Sequence, residues 1–285
     1  MALPRRGRTG HLGPVVASST TRILSDLHFG DWAGAVHALP QLDPLLAGVS
    51  GLVLNGDTIE TRPGPCPAAT GRLRESLTDW LGQTPTLLIT GNHDPDISGV
   101  HLLEMAGGRI LLTHGDIVFE DIVPWSQDAP LARQLVARER AAGAALSLEQ
   151  LLAAHRRAAL ALPQRHQTEP RAWQYLSRFL TNTVWPPLRL PRVLRAWAEM
   201  PSRTAALAQA HRPLARFIIV GHTHRPGVWR RPDGRVVINT GSFCQPLGGL
   251  LVDVAPDHLV VRKISSRRRE FRPGDLVAEF ALAAV

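Results

Sequence analysis

Residues able to hold a metal ion recur at five places: Asp26-Leu27-His28, Gly56-Asp57, Gly91-Asn92-His93-Asp94, His114-Gly115-Asp116 and Gly221-His222-Thr223-His224. Carboxylate and amide oxygens are hard donors, and imidazole nitrogens are borderline ones. That mixture suits manganese, iron, zinc or nickel better than calcium. Each fragment alone is ordinary, since Gly-Asp is turn chemistry and Gly-Asn-His-Asp can close on an Asx hydrogen bond. Their combination and order read as a metal site, and as an enzyme.

The elements that must position these residues are legible as short apolar runs. Arg22–Ser25, Leu52–Asn55, Thr86–Thr90 and Arg109–Thr113 predict buried strands, each ending at a motif. Helical spacing lies between them at Ala33–Ala47, interrupted by Pro40 and Pro44, at Gly71–Leu81 and near Val100–Ala106. That alternation predicts an α/β layer with parallel neighbours. Arg216–Val220, Val236–Asn239, Leu250–Val254 and His258–Lys263 are closely spaced strands that favour antiparallel hairpins. Ser265–Pro273 reads as an exposed basic connector.

The five motifs, in this order, resemble the signature of the calcineurin-like metallophosphoesterase superfamily. The match is densest over residues 22–116 and 216–254. The resemblance implies a four-layer αββα sandwich of two mixed β-sheets flanked by helices. It also implies two divalent transition metals, manganese foremost, with iron, zinc or nickel as alternatives. One would be held by Asp26, His28, Asp57 and His224, the other by Asp57, Asn92, His114 and His222, with Asp57 bridging. A phosphoester or pyrophosphate would be hydrolysed by in-line attack of a hydroxide shared by the two ions. His93 would stabilise the transition state or protonate the leaving group, oriented by Glu60 three positions after Asp57, with Asp94 as the competing orienter or a cap. Gly56, Gly91, Gly115 and Gly221 read as sharp turns at strand ends that need φ > 0. Asn239–Phe243 resembles a family segment that closes the site.

Within the superfamily the chain is similar to UDP-2,3-diacylglucosamine diphosphatase-like enzymes, which also carry a helical, arginine-bearing insertion. It departs from them in having His93 where they carry Arg. A nuclease or phosphodiesterase is the other enzymatic reading. A scaffold without turnover is disfavoured, because none of the ligand positions is substituted.

Bulk properties place the remaining constraints. The 285 residues carry a formal +8, and arginine supplies every basic residue but Lys263. Between Leu131 and Pro213, thirteen Arg face four Glu and no Asp, so the positive charge belongs to that segment. Residues 129–213 are expected to form an inserted helical cap containing Trp173, Tyr175, Phe179, Trp185 and Trp197, separable from a sandwich domain of 21–128 and 214–285. The cap's Arg192 and Arg195 are candidate substrate contacts. The expected partner is an anionic phosphoester with an apolar portion. Peripheral contact with an anionic membrane or a nucleic acid is compatible with the charge, and no obligate protein partner is evident. Residues 1–20 read as a basic arm, since His11, Gly13 and Pro14 leave no apolar stretch for a secretory signal. Two cysteines, Cys66 and Cys244, are too few for a disulfide framework, and no apolar run reaches the length of a membrane span. These features predict a cytoplasmic protein, at most peripheral to the inner membrane face.

Overall fold

The computed structural model describes residues 19–31, 34–62, 67–82, 84–140, 146–164 and 189–282. The basic arm up to residue 18, Cys66 and the aromatics Trp173, Tyr175, Phe179 and Trp185 lie outside them.

Strands β1 (Thr21–Leu24), β2 (Gly51–Asn55) and β3 (Thr86–Ile89) run parallel. The first sheet continues from β1 antiparallel through β9 (Leu250–Val254), β10 (His258–Arg267) and β11 (Glu270–Ala281). In the second sheet, β5 (Ile110–Thr113), β6 (Phe217–Val220) and β8 (Val236–Asn239) are parallel. Its edges are β4 (Leu102–Met105) and β7 (Gly227–Arg230), both antiparallel.

Alternation along the strands builds the layers, because successive side chains point to opposite faces. Ile23, Val53 and Ile89 from the first sheet meet Ile110, Phe217 and Ile238 from the second in one core. The neighbouring Leu24, Leu52 and Leu54 face outward and pack with α1 (Asp43–Leu46) and α2 (Pro67–Leu81) through Leu45, Leu77 and Trp80. On the far side, Leu111, Ile218, Val220 and Val237 pack against α4 (Leu148–Leu160) and α5 (Arg189–His211). The order is helices, sheet, sheet, helices, the expected four-layer sandwich.

The segment 129–213 is helical over its described residues, as α3 (Ala129–Arg140), α4 and α5. Ser147 starts α4 with a capping box: its hydroxyl accepts from the Gln150 amide, and Gln150 Oε1 accepts from the Ser147 amide. Leu148, Leu152, Ala196, Met200 and Ala208 share a core with the second sheet, so α4 and α5 supply that outer layer.

Other local expectations need correction. Val100–Ala106 contains no helix; Leu102–Met105 is β4, turned onto β5 through Ala106, Gly107 and Gly108, all with positive φ. An apolar run that short does not distinguish helix from strand by period. The helix expected over Ala33–Ala47 reduces to a 3-10 turn at Leu39–Leu42 and the single turn of α1, because Pro40 and Pro44 fit only at the start of each. Ser265–Pro273 is no connector: β10 and β11 pair through it, reversing at Arg268 and Arg269, both left-handed.

Candidate metal centre

In each sheet the parallel strands deliver their following loops to one end, where ligands of α/β folds gather. β1 leads to Ser25–His28, β2 to Gly56–Glu60 and β3 to Gly91–Asp94. β5 leads to His114–Asp116, β6 to Gly221–His224 and β8 to Thr240–Ser242. These loops bring all seven expected ligands and the expected catalytic pair into one neighbourhood.

On one side, the Nε2 atoms of His28 and His224 face each other at 3.1 Å. Asp26 Oδ1 lies 3.3 Å from His224 Nε2 and 3.9 Å from His28 Nε2. Asp57 Oδ2 is 3.9 Å from His28 Nε2 and 3.2 Å from His114 Nε2, so this one carboxylate spans both halves. On the other side, His114 Nε2 is 3.2 Å from Asn92 Oδ1, and the His222 ring lies 5.2 Å from that of His114. A carbonyl only accepts, so two contacts fix tautomers. His114 Nδ1 donates to Asn55 O at 3.1 Å, which turns its Nε2 toward Asp57 and Asn92, and His222 Nε2 donates to Ile122 O at 2.8 Å, which leaves His222 Nδ1 as a lone pair. Cys244 Sγ also comes within 4.8 Å of ligand atoms of His28 and His224, which nothing in the sequence around it signals.

The donor set fits divalent cations. Asp26 and Asp57 are buried, and no Lys or Arg pairs with either among the described residues. Buried carboxylates are costly unless a positive charge compensates them. A proton on histidine takes that part here: against the effect of burial, Asp57 and Asp26 raise His114 to about 10. Burial, with the charge of His224 nearby, lowers His28 to about 4, and burial with His114 does the same to His222. Unprotonated imidazoles beside ionised carboxylates are what a dication requires.

The backbone is bent to make this arrangement. Asp26, His28, Asp57, His222 and His224 all adopt positive φ, between 47° and 67°, a conformation costing of order 1–3 kcal/mol for a non-glycine residue. Gly56 and Gly115 have the positive φ expected of them, at 82° and 110°. Gly91 and Gly221 do not. They are glycines for lack of space, since a Cβ on Gly91 would strike Asp57 and one on Gly221 would strike Asp26.

His93 stands apart from the ligand pairs. Its amide donates to Asp57 Oδ1 at 2.8 Å, and its Nδ1 donates to Glu60 Oε2 at 2.9 Å, which leaves Nε2 for the site. Glu60 is buried and takes a two-pronged contact from Arg62, with Nε to Oε1 at 2.9 Å and Nη2 to Oε2 at 2.7 Å. Although burial opposes it, the Arg62 hydrogen bond and His93 lower Glu60 to about 2. His93 moves upward, with Asp57 and Glu60 outweighing burial and Arg62. Asp94 does not orient His93; it accepts from the backbone amides of Gly91, Asp57 and Thr58 and ties two ligand loops together. Arg62, two residues after Glu60, is a site residue that the sequence reading does not single out. Nor does it single out the buried pair of Arg156 with Asp116 at 2.5 Å, which anchors α4 beneath the His114 loop. Nothing in the local sequence of Arg156 points to it.

Arg192 and Arg195 lie away from these ligands, on α5. With Phe119, Arg133, Glu199 and Arg203 they line a cavity of about 570 Å³. The Phe119 ring lies 6.1 Å from that of His222.

Solved structures with partial likeness include a dimetal phosphatase from Danio rerio, at 14% identity and TM-score 0.44, covering 93% of this chain and 99% of that one. Vacuolar Protein Sorting 29 from Cryptosporidium parvum gives 13% and 0.43, covering 93% and 98%. A predicted phosphoesterase from Streptococcus pneumoniae gives 17% and 0.39, again covering 93% and 98%. Overlaps of this size carry no argument about activity. No curated protein matches the chain by sequence. The model of the calcineurin-like phosphoesterases matches residues 20–226, a span that takes in all five motif segments, and the chain belongs to that family.

Proposed function

We propose that the protein hydrolyses a phosphoester or pyrophosphate with the help of two divalent metal ions, manganese being the first to test. One observation carries the reading: two buried carboxylates that no Lys or Arg pairs among the described residues converge with four imidazoles and the Asn92 amide at the carboxyl ends of the strands. Asp26, His28, Asp57 and His224 would hold one ion, and Asp57, Asn92, His114 and His222 the other. When bound, such ions supply positive charge at the phosphoryl oxygens and make water more acidic.

The chain's own residues account for the rest. Asp57 is the group common to both sets, and its second oxygen, by accepting the His93 amide, fixes the turn that carries that imidazole. Glu60 fixes the His93 tautomer, and Arg62 keeps Glu60 ionised and in place. His93 then meets substrate with Nε2, as a cation that stabilises charge on the phosphoryl group or as a donor to the leaving oxygen.

The finer reading concerns substrate. The cavity beside Phe119 offers the Arg192 guanidinium over an apolar wall, next to Arg133, Arg195 and Arg203 in ion pairs with Asp121 and Glu199, which suits an anionic phosphoester with an apolar or planar part. The experiment loads the protein with manganese and assays phosphomonoesters, phosphodiesters, UDP-linked lipid sugars and oligonucleotides. Turnover of one class, abolished by chelator and restored by manganese, supports the proposal. A fully loaded protein that hydrolyses none of them, activated esters included, sinks it in favour of a scaffold.

A further inference from the structure

We infer that Trp197 is a positioning residue for the metal-ligand turn Gly221–His224, so that helix α5 is part of the scaffold of the metal centre. The inference rests on the reading that His222 and His224 ligate metal.

The turn has two sides, and they are held differently. From beneath, Asp26 accepts the His222 amide at 3.1 Å, and Asn239 Nδ2 donates to Gly221 O at 2.7 Å and to Thr223 Oγ1 at 3.0 Å. None of those contacts engages the Thr223 carbonyl. Trp197 Nε1, from α5, donates to it at 2.8 Å. That carbonyl belongs to the peptide plane joining Thr223 to His224. Rotating the plane changes φ of His224, which sits in the left-handed region at 56°, with His222 at 67° two residues earlier. Backbone in such a conformation persists only where its surroundings over-determine it.

The next residue completes the clasp. Arg225 Nη1 donates to the Trp197 carbonyl at 3.2 Å, and its guanidinium carbon lies 5.8 Å from the Trp197 ring centre and 5.7 Å from that of Trp229. Arg225 thereby spans from α5 to β7 directly beyond the ligand turn. Packing does not replace these contacts at His224, whose side chain is 36% exposed, whereas His222 is 3% exposed. The ligand that packing constrains least is the one next to the Trp197 hydrogen bond and the Arg225 clasp.

Two variants test this. Trp197→Phe keeps most of the aromatic area and loses the N–H; Arg225→Gln loses the cation between the rings. Metal-free parent and variants are titrated with cobalt(II), followed by visible absorption, and bound manganese is counted by elemental analysis at fixed free concentration. A single hydrogen bond is worth about 1 kcal/mol, so Trp197→Phe should bind one ion as the parent does and the other roughly 5–10-fold more weakly. Arg225→Gln should shift the same ion in the same direction by less. Trp197→His, which can offer a ring N–H, should recover part of the loss. Parent-like affinity for both ions in Trp197→Phe overturns the inference. So does equal weakening of both ions with a lowered melting temperature of the metal-free protein, which would mean general loosening. If Trp197→Phe does not fold, the selective or non-selective loss in Arg225→Gln decides between the same outcomes. A parent that fails to bind two ions removes the earlier reading instead, and this one with it.

Discussion

Asp57 is the single residue whose charge reaches furthest. It touches both halves of the centre, lies closest to His114 and raises it, and through its other oxygen holds the His93 amide. Asp57→Asn should therefore lose most of the bound metal, because a neutral amide cannot balance two dications. Elemental analysis of the reconstituted variant checks this, and full occupancy with normal activity would rule out the proposed bridging role of Asp57. His93→Ala should behave oppositely, keeping both ions while kcat falls roughly 10²–10⁴-fold. If His93 donates a proton, the defect shrinks with a good leaving group such as p-nitrophenolate; an equal loss with every leaving group assigns it to charge stabilisation. Glu60 gives a pH signature. Its folded-state pKa is depressed to about 2 from an ordinary value of 4.5, so its contribution is fully present above 4.5 and is lost as pH falls through about 2. Urea unfolding of metal-free parent and Glu60→Gln should differ by about 3 kcal/mol near neutrality, the gap narrowing only in acid. A gap that stays constant with pH would mean that packing alone distinguishes them. The proposed ligands and the Glu60–His93 pair are legible in the sequence because each lies in or within a few residues of a motif of the family the chain resembles. Arg156 and Trp197 are not, because neither lies in or near a motif, and only the fold brings them to Asp116 and Thr223.

Elements were legible where an apolar run was long or bounded by clear turns. The strands that precede the motifs emerged on those grounds. β4 reads as helix, and β7 and most of β11 carry no strand signal in the sequence. Their residues are half exposed and interleaved with charge, as in Arg272, Asp275 and Glu279, so no run marks them. The helical segment is the instructive element, because α4 and α5 read as an appendage by composition and yet cover Leu111, Ile218, Val220 and Val237. Replacing residues 129–213 by a short linker should expose that face and abolish cooperative unfolding in a thermal melt. A soluble variant that melts cooperatively and binds metal like the parent would make the segment dispensable after all.

Over the whole molecule, the fold redistributes the charge that looked concentrated in one segment. Arg133, Arg156 and Arg212 reach Asp121, Asp116 and Glu104 outside it, while Arg157, Arg195 and Arg203 find Glu139 and Glu199 within it. Thirteen Arg against four Glu leave the segment a net +9, and the three acids outside it offset three of those charges; among the described residues Arg192 is in no ion pair, which makes it the stronger candidate for substrate. A different consequence follows from the way the first sheet ends. β11 is its outermost strand, with Leu276 and Val277 exposed at 52% and 41%. A long apolar margin of that kind invites another molecule to add a strand, and so on without limit. Pro273 lacks an N–H to offer, Gly274 weakens the ladder, and Asp275 and Glu279 place charge along it. Those four residues interrupt the margin and are expected to limit self-association, independently of the metal centre. Converting Pro273 and Asp275 together to Val should leave catalysis intact and raise static light scattering steeply with concentration; a variant that stays monodisperse would show that the margin needs no guard.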